Sequence, residues 1–108
     1  MKKQKSVEKS VPAESPARVE DTLEKVLAER GARYGSFEDH ARCTQQMKGV
    51  MHMQRNWDFM DYDHCEALHM IVHKIGRILC GDPNYADSWV DIAGYAKLVA
   101  DRLSKTKA

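Results

Sequence analysis

Two rows of ionisable side chains, each repeating about once per helical turn, are the residues in this sequence best suited to chemistry. In the first row Glu66, His69, His73 and Arg77 fall on one side, with Lys74 beside them; in the second Asp87, Asp91 and Tyr95 stand four residues apart. Residues at i and i+4 lie one above the other on a helix, so Asp87 and Asp91 project together. Neighbouring carboxylates repel by roughly a few tenths of a kcal/mol, which a divalent cation or basic neighbours relieve. Two readings follow. In one, Asp87 and Asp91 pair with Lys74, His73 or Arg77 in an interhelical salt-bridge network worth about 0 to 1 kcal/mol per exposed pair. In the other, the carboxylates hold Mg²⁺ through oxygen ligands while Lys74 and Arg77 take phosphate oxygens. His69 and His73 also have the spacing with which one helix face chelates a transition metal, although neutral histidines packed between helices satisfy the same pattern. No phosphate-loop, dinucleotide or Ser-His-Asp pattern is present, so nucleophilic and hydride chemistry have no support.

The elements that must position these rows run from Asp63 to Leu103. Leu68, Ile71, Val72, Ile75, Ile78 and Leu79 recur at three and four residues, and Trp89, Ile92, Ala96, Val99 and Leu103 repeat the pattern. This is the periodicity of two apolar helix faces. The breaker Gly81-Asp82-Pro83-Asn84 between them is long enough only for an antiparallel pair, so both stripes are expected to meet one core. Antiparallel packing places Asp87 beside Arg77 and Lys74, and leaves Glu66 at the opposite end of the pair from Asp91.

Two more helices precede this pair. The first is expected over Thr22 to Arg30, capped by Asp21, stopped by Gly31, and buried through Leu23, Val26 and Leu27. The turn Gly31-Ala32-Arg33-Tyr34-Gly35-Ser36 carries two glycines that permit positive φ and the close approach of a ligand's phosphate. Ser36 is a candidate N-cap for a second helix, Phe37 to His52, with Phe37, Ala41, Met47, Val50 and Met51 inward. A loop with Trp57 and Phe59 follows, and the third helix begins at Asp61 or Asp63. The fold class is therefore all-α, an antiparallel four-helix bundle-like domain over residues 19–104. Residues 1–18, polar with Pro12 and Pro16, are expected to form a flexible tail.

Composition sets further bounds. Among 108 residues the formal net charge is +1, so no overall field marks a nucleic-acid or membrane-surface binder, and direct nucleic-acid binding is not expected. No apolar run is long enough to span a membrane, and the N-terminus lacks the apolar core of a secretion signal, so a cytoplasmic location is expected. Cys43, Cys65 and Cys80 have no C-x-x-C spacing and are expected as buried reduced thiols. A core of this size supplies only a few kcal/mol. With six methionines and two tryptophans available for contacts, a homo-oligomer is expected.

The run Glu29-Arg30-Gly31-Ala32-Arg33-Tyr34-Gly35-Ser36-Phe37-Glu38-Asp39-His40-Ala41 resembles a family of small phage and prophage proteins of unassigned function. So do Glu66-Ala67-Leu68, Lys74-Ile75, Arg77-Ile78 and the run Gly81 to Ala96. The pattern R-G-x-x-Y-G, K-x-x-R-I, D-x-x-x-D-x-A-G-Y is similar to that of nucleotide-modification-associated domains, and through them to the all-α MazG-like nucleoside triphosphate pyrophosphohydrolases. The resemblance covers residues 28 to 103. In those enzymes an E-x-x-E pair and an E-x-x-D pair hold Mg²⁺ at the triphosphate. By position Glu66 stands in the first pair, with His69 where its partner carboxylate would be, and Asp87 and Asp91 stand in the second at a spacing of four.

The resemblance thus implies a phage-encoded protein that binds or cleaves a nucleotide in the host cytoplasm. Glu66, Asp87 and Asp91 are the metal and catalytic candidates, and Arg33, Tyr34, Lys74, Arg77 and Tyr95 the nucleotide-binding ones. If it cleaves, a metal-bound water attacks a phosphoryl group. The rival expectation is a non-enzymatic phage protein that binds and inhibits a host enzyme or defence complex through Met47, Met51, Met53, Trp57 and Phe59.

Overall fold

The computed structural model describes residues 16–107, and these form four helices and one short 3-10 turn. The helices are α1 (Pro16–Tyr34), α2 (Phe37–His52), α3 (Tyr62–Cys80) and α4 (Ala86–Lys107), with the 3-10 turn at Trp57–Phe59 between α2 and α3. No strand occurs among the described residues, and the all-α expectation holds. Of the expected tail, residues 1–15 lie outside the described residues, while α1 already begins at Pro16. A proline is well placed there, because the N–H it lacks has no partner in a first turn.

The start and stop expected for the first helix both move outward. Asp21 falls inside α1 rather than capping it, and Gly31 continues the helix. Gly35, with φ of +82°, ends it, its N–H donating to the Gly31 carbonyl at 2.8 Å. The left-handed conformation is what terminates a helix, and only the second glycine of the pair adopts it. α2 has the expected bounds. Its Ser36 cap accepts the Asp39 N–H at 3.3 Å, and Glu38 and Asp39 in its first turn face the positive end of the helix dipole. α3 starts after Asp61, whose N–H donates to His64 Nδ1 at 3.1 Å.

α3 is the central helix, with α2 against one side of it and α4 against another. At the α2–α3 crossing Gly76 lies beneath His40 and Thr44, both buried. A methyl group on Gly76 would come within 2.5 Å of Thr44 Cγ2 and 2.8 Å of His40 Cδ2, so the absence of a side chain lets the helices touch. α4 runs antiparallel to α3. Lys74 Nζ meets Asp91 at 2.9 Å, and at the far end Arg102 donates to Asp63 and Asp61. Arg102 holds the Asp63 carboxyl below the usual carboxylate range, chiefly through these hydrogen bonds.

One copy of the chain covers its apolar faces only in part. Ala67 and Val72 are the buried hydrophobic residues, whereas Leu68, Leu79, Trp89 and Leu103 of the expected inward stripes, and Phe37 and Val50 of α2, stay exposed. Val19, Leu23, Val26 and Leu27 form an exposed apolar face on α1. Trp89 turns back over the α3–α4 loop, where its indole N–H donates to the Pro83 carbonyl at 2.9 Å. The three cysteines are free thiols but half-buried rather than buried. Burial, and then the adjacent Cys43, push the Cys80 thiol up. No described helix is long and apolar enough to cross a membrane.

Candidate functional site

The site begins at a point where two turns cross backbone to backbone. A side chain on Gly35 would collide with the Cys80 carbonyl, and one on Gly81 would collide with the main chain of Arg33 and Tyr34. The contact is pinned by the Asp82 N–H, which donates to the Arg33 carbonyl at 2.8 Å. The glycine of the α1–α2 turn therefore serves chain crossing, and its Cβ direction is filled by protein rather than left open to a phosphate.

This crossing gathers side chains from three segments. The Arg77 guanidinium lies over the Tyr34 ring at 4.0 Å, and that of Arg33 over Tyr85 at 4.6 Å. The two tyrosine rings meet edge to face with centroids 6.0 Å apart. The order along this column is Arg77, Tyr34, Tyr85, Arg33. Each cation is held against a ring face by its quadrupole; Arg33 also pairs with Glu29 at 3.8 Å, while Arg77 keeps guanidinium N–H groups available to an acceptor.

Beside the column opens a cleft of about 470 Å³, walled by Leu27, Arg30, Tyr34, Ser36, Phe37, His40, His73 and Arg77. That volume is within the range of small-molecule sites, as is a mostly apolar wall carrying a few polar groups. The start of α2 at Ser36 forms one rim and brings the positive end of its dipole to the opening. Arg30 and Arg77 have no carboxylate partner among the described residues. His40 is 6 % exposed. Its Nε2 donates to the His73 carbonyl at 3.0 Å, since a carbonyl can only accept, and its Nδ1 has no protein partner among the described residues. Burial, followed by the charge of Arg77, pushes His73 down to about 4, so its ring is neutral near pH 7 and the arginines supply the charge.

The residues expected to act together are divided between faces. Tyr34 and Arg77 meet in the cleft wall, and Arg33 lies next to them on Tyr85. Lys74 is turned away and closed on Asp91, its side chain only 12 % exposed. Asp87 accepts a hydrogen bond from the Tyr85 hydroxyl at 2.8 Å. Tyr95 shares a shallow surface depression with Asp91, Val90, Gly94 and Leu98, none of which lines the cleft. Glu66 is far from both aspartates. The pairings of Lys74 with Asp91 and of Asp63 with Arg102 set Glu66 level with Val99, roughly 12 Å along α4 from Asp91 and 18 Å from Asp87. Glu66, Asp87 and Asp91 therefore do not fit one Mg²⁺ site, and Lys74 already neutralises Asp91. His69 and His73 separate as well, His69 meeting His52 and His73 meeting His40.

A family model described as "Domain of unknown function (DUF6378)" matches residues 19–103, from the start of the exposed face of α1 nearly to the end of α4. The chain belongs to this family. No curated protein and no solved structure matches it. Within this DUF6378 chain, Arg30, His40 and Tyr85 join the site without having been singled out by spacing. Arg30 and His40 bracket the run Gly31 to Asp39, so the signal for them was the density of Gly, Arg and aromatic residues around the turn. Tyr85 had no spacing signal, only its place in the run Gly81 to Ala96.

Proposed function

We propose that the chain binds a nucleotide in the cleft beside the Gly35–Gly81 crossing, with phosphates on Arg30 and Arg77 at the start of α2 and the base against Tyr34 and Phe37. The observation that carries this reading is the pair of arginines without carboxylate partners on the wall of an aromatic cleft. Arg77 is half-buried against Tyr34 and Arg30 is exposed at the rim, and an anionic ligand that also presents an aromatic face answers both halves of the wall. The reading keeps the ligand class of the MazG-like and phage resemblance but moves the phosphates away from Lys74. It assigns binding rather than cleavage, because the carboxylates that would hold Mg²⁺ are spread along the helix pair, with Asp87 engaged by Tyr85 and Asp91 by Lys74.

Thermal shift with a panel of nucleoside and deoxynucleoside triphosphates, with and without Mg²⁺, tests the proposal alongside a pyrophosphate-release assay. Stabilisation without Mg²⁺ and without pyrophosphate release is the expected result. Absence of a shift with every nucleotide would remove the reading.

A second reading, contact with a host protein, draws on Met53, Phe59 and Tyr62 between the end of α2 and the start of α3, exposed by 82 %, 83 % and 96 % respectively. Met47 and Met51 are half-buried, and Trp57 is engaged by His52 and His69, so this surface differs from the one expected from sequence. Capture of one stoichiometric host partner, lost in a Phe59→Ala variant and kept in Arg77→Gln, would favour it. Self-association through the exposed face of α1 accompanies either reading, and sedimentation of the purified chain tests it.

A further inference from the structure

The other end of the α2–α3 interface carries a group of side chains that nucleotide binding does not use. His52, the last residue of α2, and His69 of α3 point their Nε2 atoms at each other, 2.8 Å apart. Trp57 packs on both rings, its centroid 4.6 Å from that of His52 and 5.1 Å from that of His69, which restricts how either imidazole can turn. Two neutral imidazoles share a proton in this arrangement, one Nε2 donating and the other accepting. The place of that proton is also where a metal ion would receive two nitrogen lone pairs once both rings carry their hydrogen on Nδ1.

We infer that His52 and His69, with Glu66 as a third ligand, form a binding site for a divalent transition-metal cation. Two nitrogens at 2.0 to 2.1 Å from a tetrahedral ion lie about 3.3 Å apart. The observed pair needs to open by only about half an ångström, and His52, exposed at a helix end, can supply that movement. Glu66 precedes His69 by three residues and so shares its helix face. It is exposed and makes no hydrogen bond or ion pair among the described residues, which leaves its carboxylate able to turn toward the pair. Two imidazoles and one carboxylate suit Zn²⁺, Ni²⁺ or Cu²⁺ better than Mg²⁺, which requires an oxygen-rich shell. Lys48 opposes a cation at His69, and the Glu66 carboxylate offsets it.

The rival location is the group Asp61, Asp63 and His64, whose ligand atoms lie close together but whose carboxylates are already bound by Arg102. The test uses the untagged chain in a Trp89→Phe background, so that Trp57 is the remaining tryptophan and can be excited selectively over the tyrosines. Titration with Ni²⁺ or Cu²⁺ should quench Trp57 saturably at one ion per chain, and Zn²⁺ should compete for the same site. His52→Gln and His69→Gln should each weaken binding by roughly tenfold or more, Glu66→Gln by less, and His64→Gln not at all. Circular dichroism of each variant establishes that the helices remain. Quenching that is not saturable, or that survives His52→Gln and His69→Gln, would overturn the inference, as would loss confined to His64→Gln.

Discussion

Replacing each glycine of the Arg30-Gly31-Ala32-Arg33-Tyr34-Gly35 run by alanine should move stability in opposite directions. Gly31 is helical with open space where a side chain would go, so Gly31→Ala gains helix propensity at no steric cost and should stabilise by about 0.5 to 1 kcal/mol. Gly35 has φ of +82°, which costs an alanine about 1 to 2 kcal/mol. Its new methyl would also meet the Cys80 carbonyl, a backbone atom that no rotamer change can move. Overpacking of that kind adds about 1 to 3 kcal/mol. Opening the crossing to relieve it also strains the Asp82 to Arg33 hydrogen bond, worth about 1 kcal/mol. The total for Gly35→Ala is a loss of about 3 to 6 kcal/mol, comparable to the whole stability of a small core. Urea unfolding followed by circular dichroism at constant protein concentration reads both variants. Equal effects of the two substitutions, or a Gly35→Ala variant as stable as the parent, would refute the backbone crossing.

Two further outcomes follow from the electrostatics. His73 is depressed from 6.5 to about 4 in the folded chain, so between those values the unfolded state binds more protons and stability falls as pH falls. The loss should be about 1 to 2 kcal/mol, less than full conversion because the ring keeps solvent contact. His73→Gln should remove that part of the acid sensitivity, and an unchanged difference in unfolding free energy between pH 7 and pH 5 would contradict the assignment. Asp91→Asn leaves the nearly buried Lys74 ammonium without its carboxylate and should cost about 1 to 2 kcal/mol, measurable as a shift in urea midpoint. It should leave nucleotide binding unchanged, which separates the α3–α4 ion pair from the cleft.

What was legible from sequence was what local chemistry decides. The Ser36 cap and the bounds of α2 follow from a hydroxyl residue three positions before an aspartate, and the antiparallel α3–α4 pair follows from the short Gly81–Asn84 connection. The closure of Lys74 on Asp91 was one of two readings that spacing left open. The rest depends on partners distant in sequence. Gly31 and Gly35 are equivalent as letters, and the left-handed φ at Gly35 together with the approach of Gly81 from another turn determines which of them must lack a side chain. Arg77 leaves the carboxylates of α4 for the face of Tyr34, a choice made by how α1 meets α3. The separation of His69 from His73 is likewise tertiary, because each finds a histidine of α2. Of the apolar stripes Val72 alone is buried and Ile71, Ile75, Ile78, Ile92 and Val99 are half-buried, while Leu79 and Trp89 show that one chain has too few layers to cover the rest.

The most direct test of the central claim is calorimetric titration of the chain with a nucleoside triphosphate and with the unphosphorylated nucleoside, in the absence of Mg²⁺, for the parent and for Arg77→Gln. The cleft account predicts that the triphosphate binds, that added salt weakens it, that the nucleoside binds far more weakly, and that Arg77→Gln loses affinity by roughly tenfold or more. Identical binding by parent and variant, or a triphosphate that binds no better than its nucleoside, would contradict it.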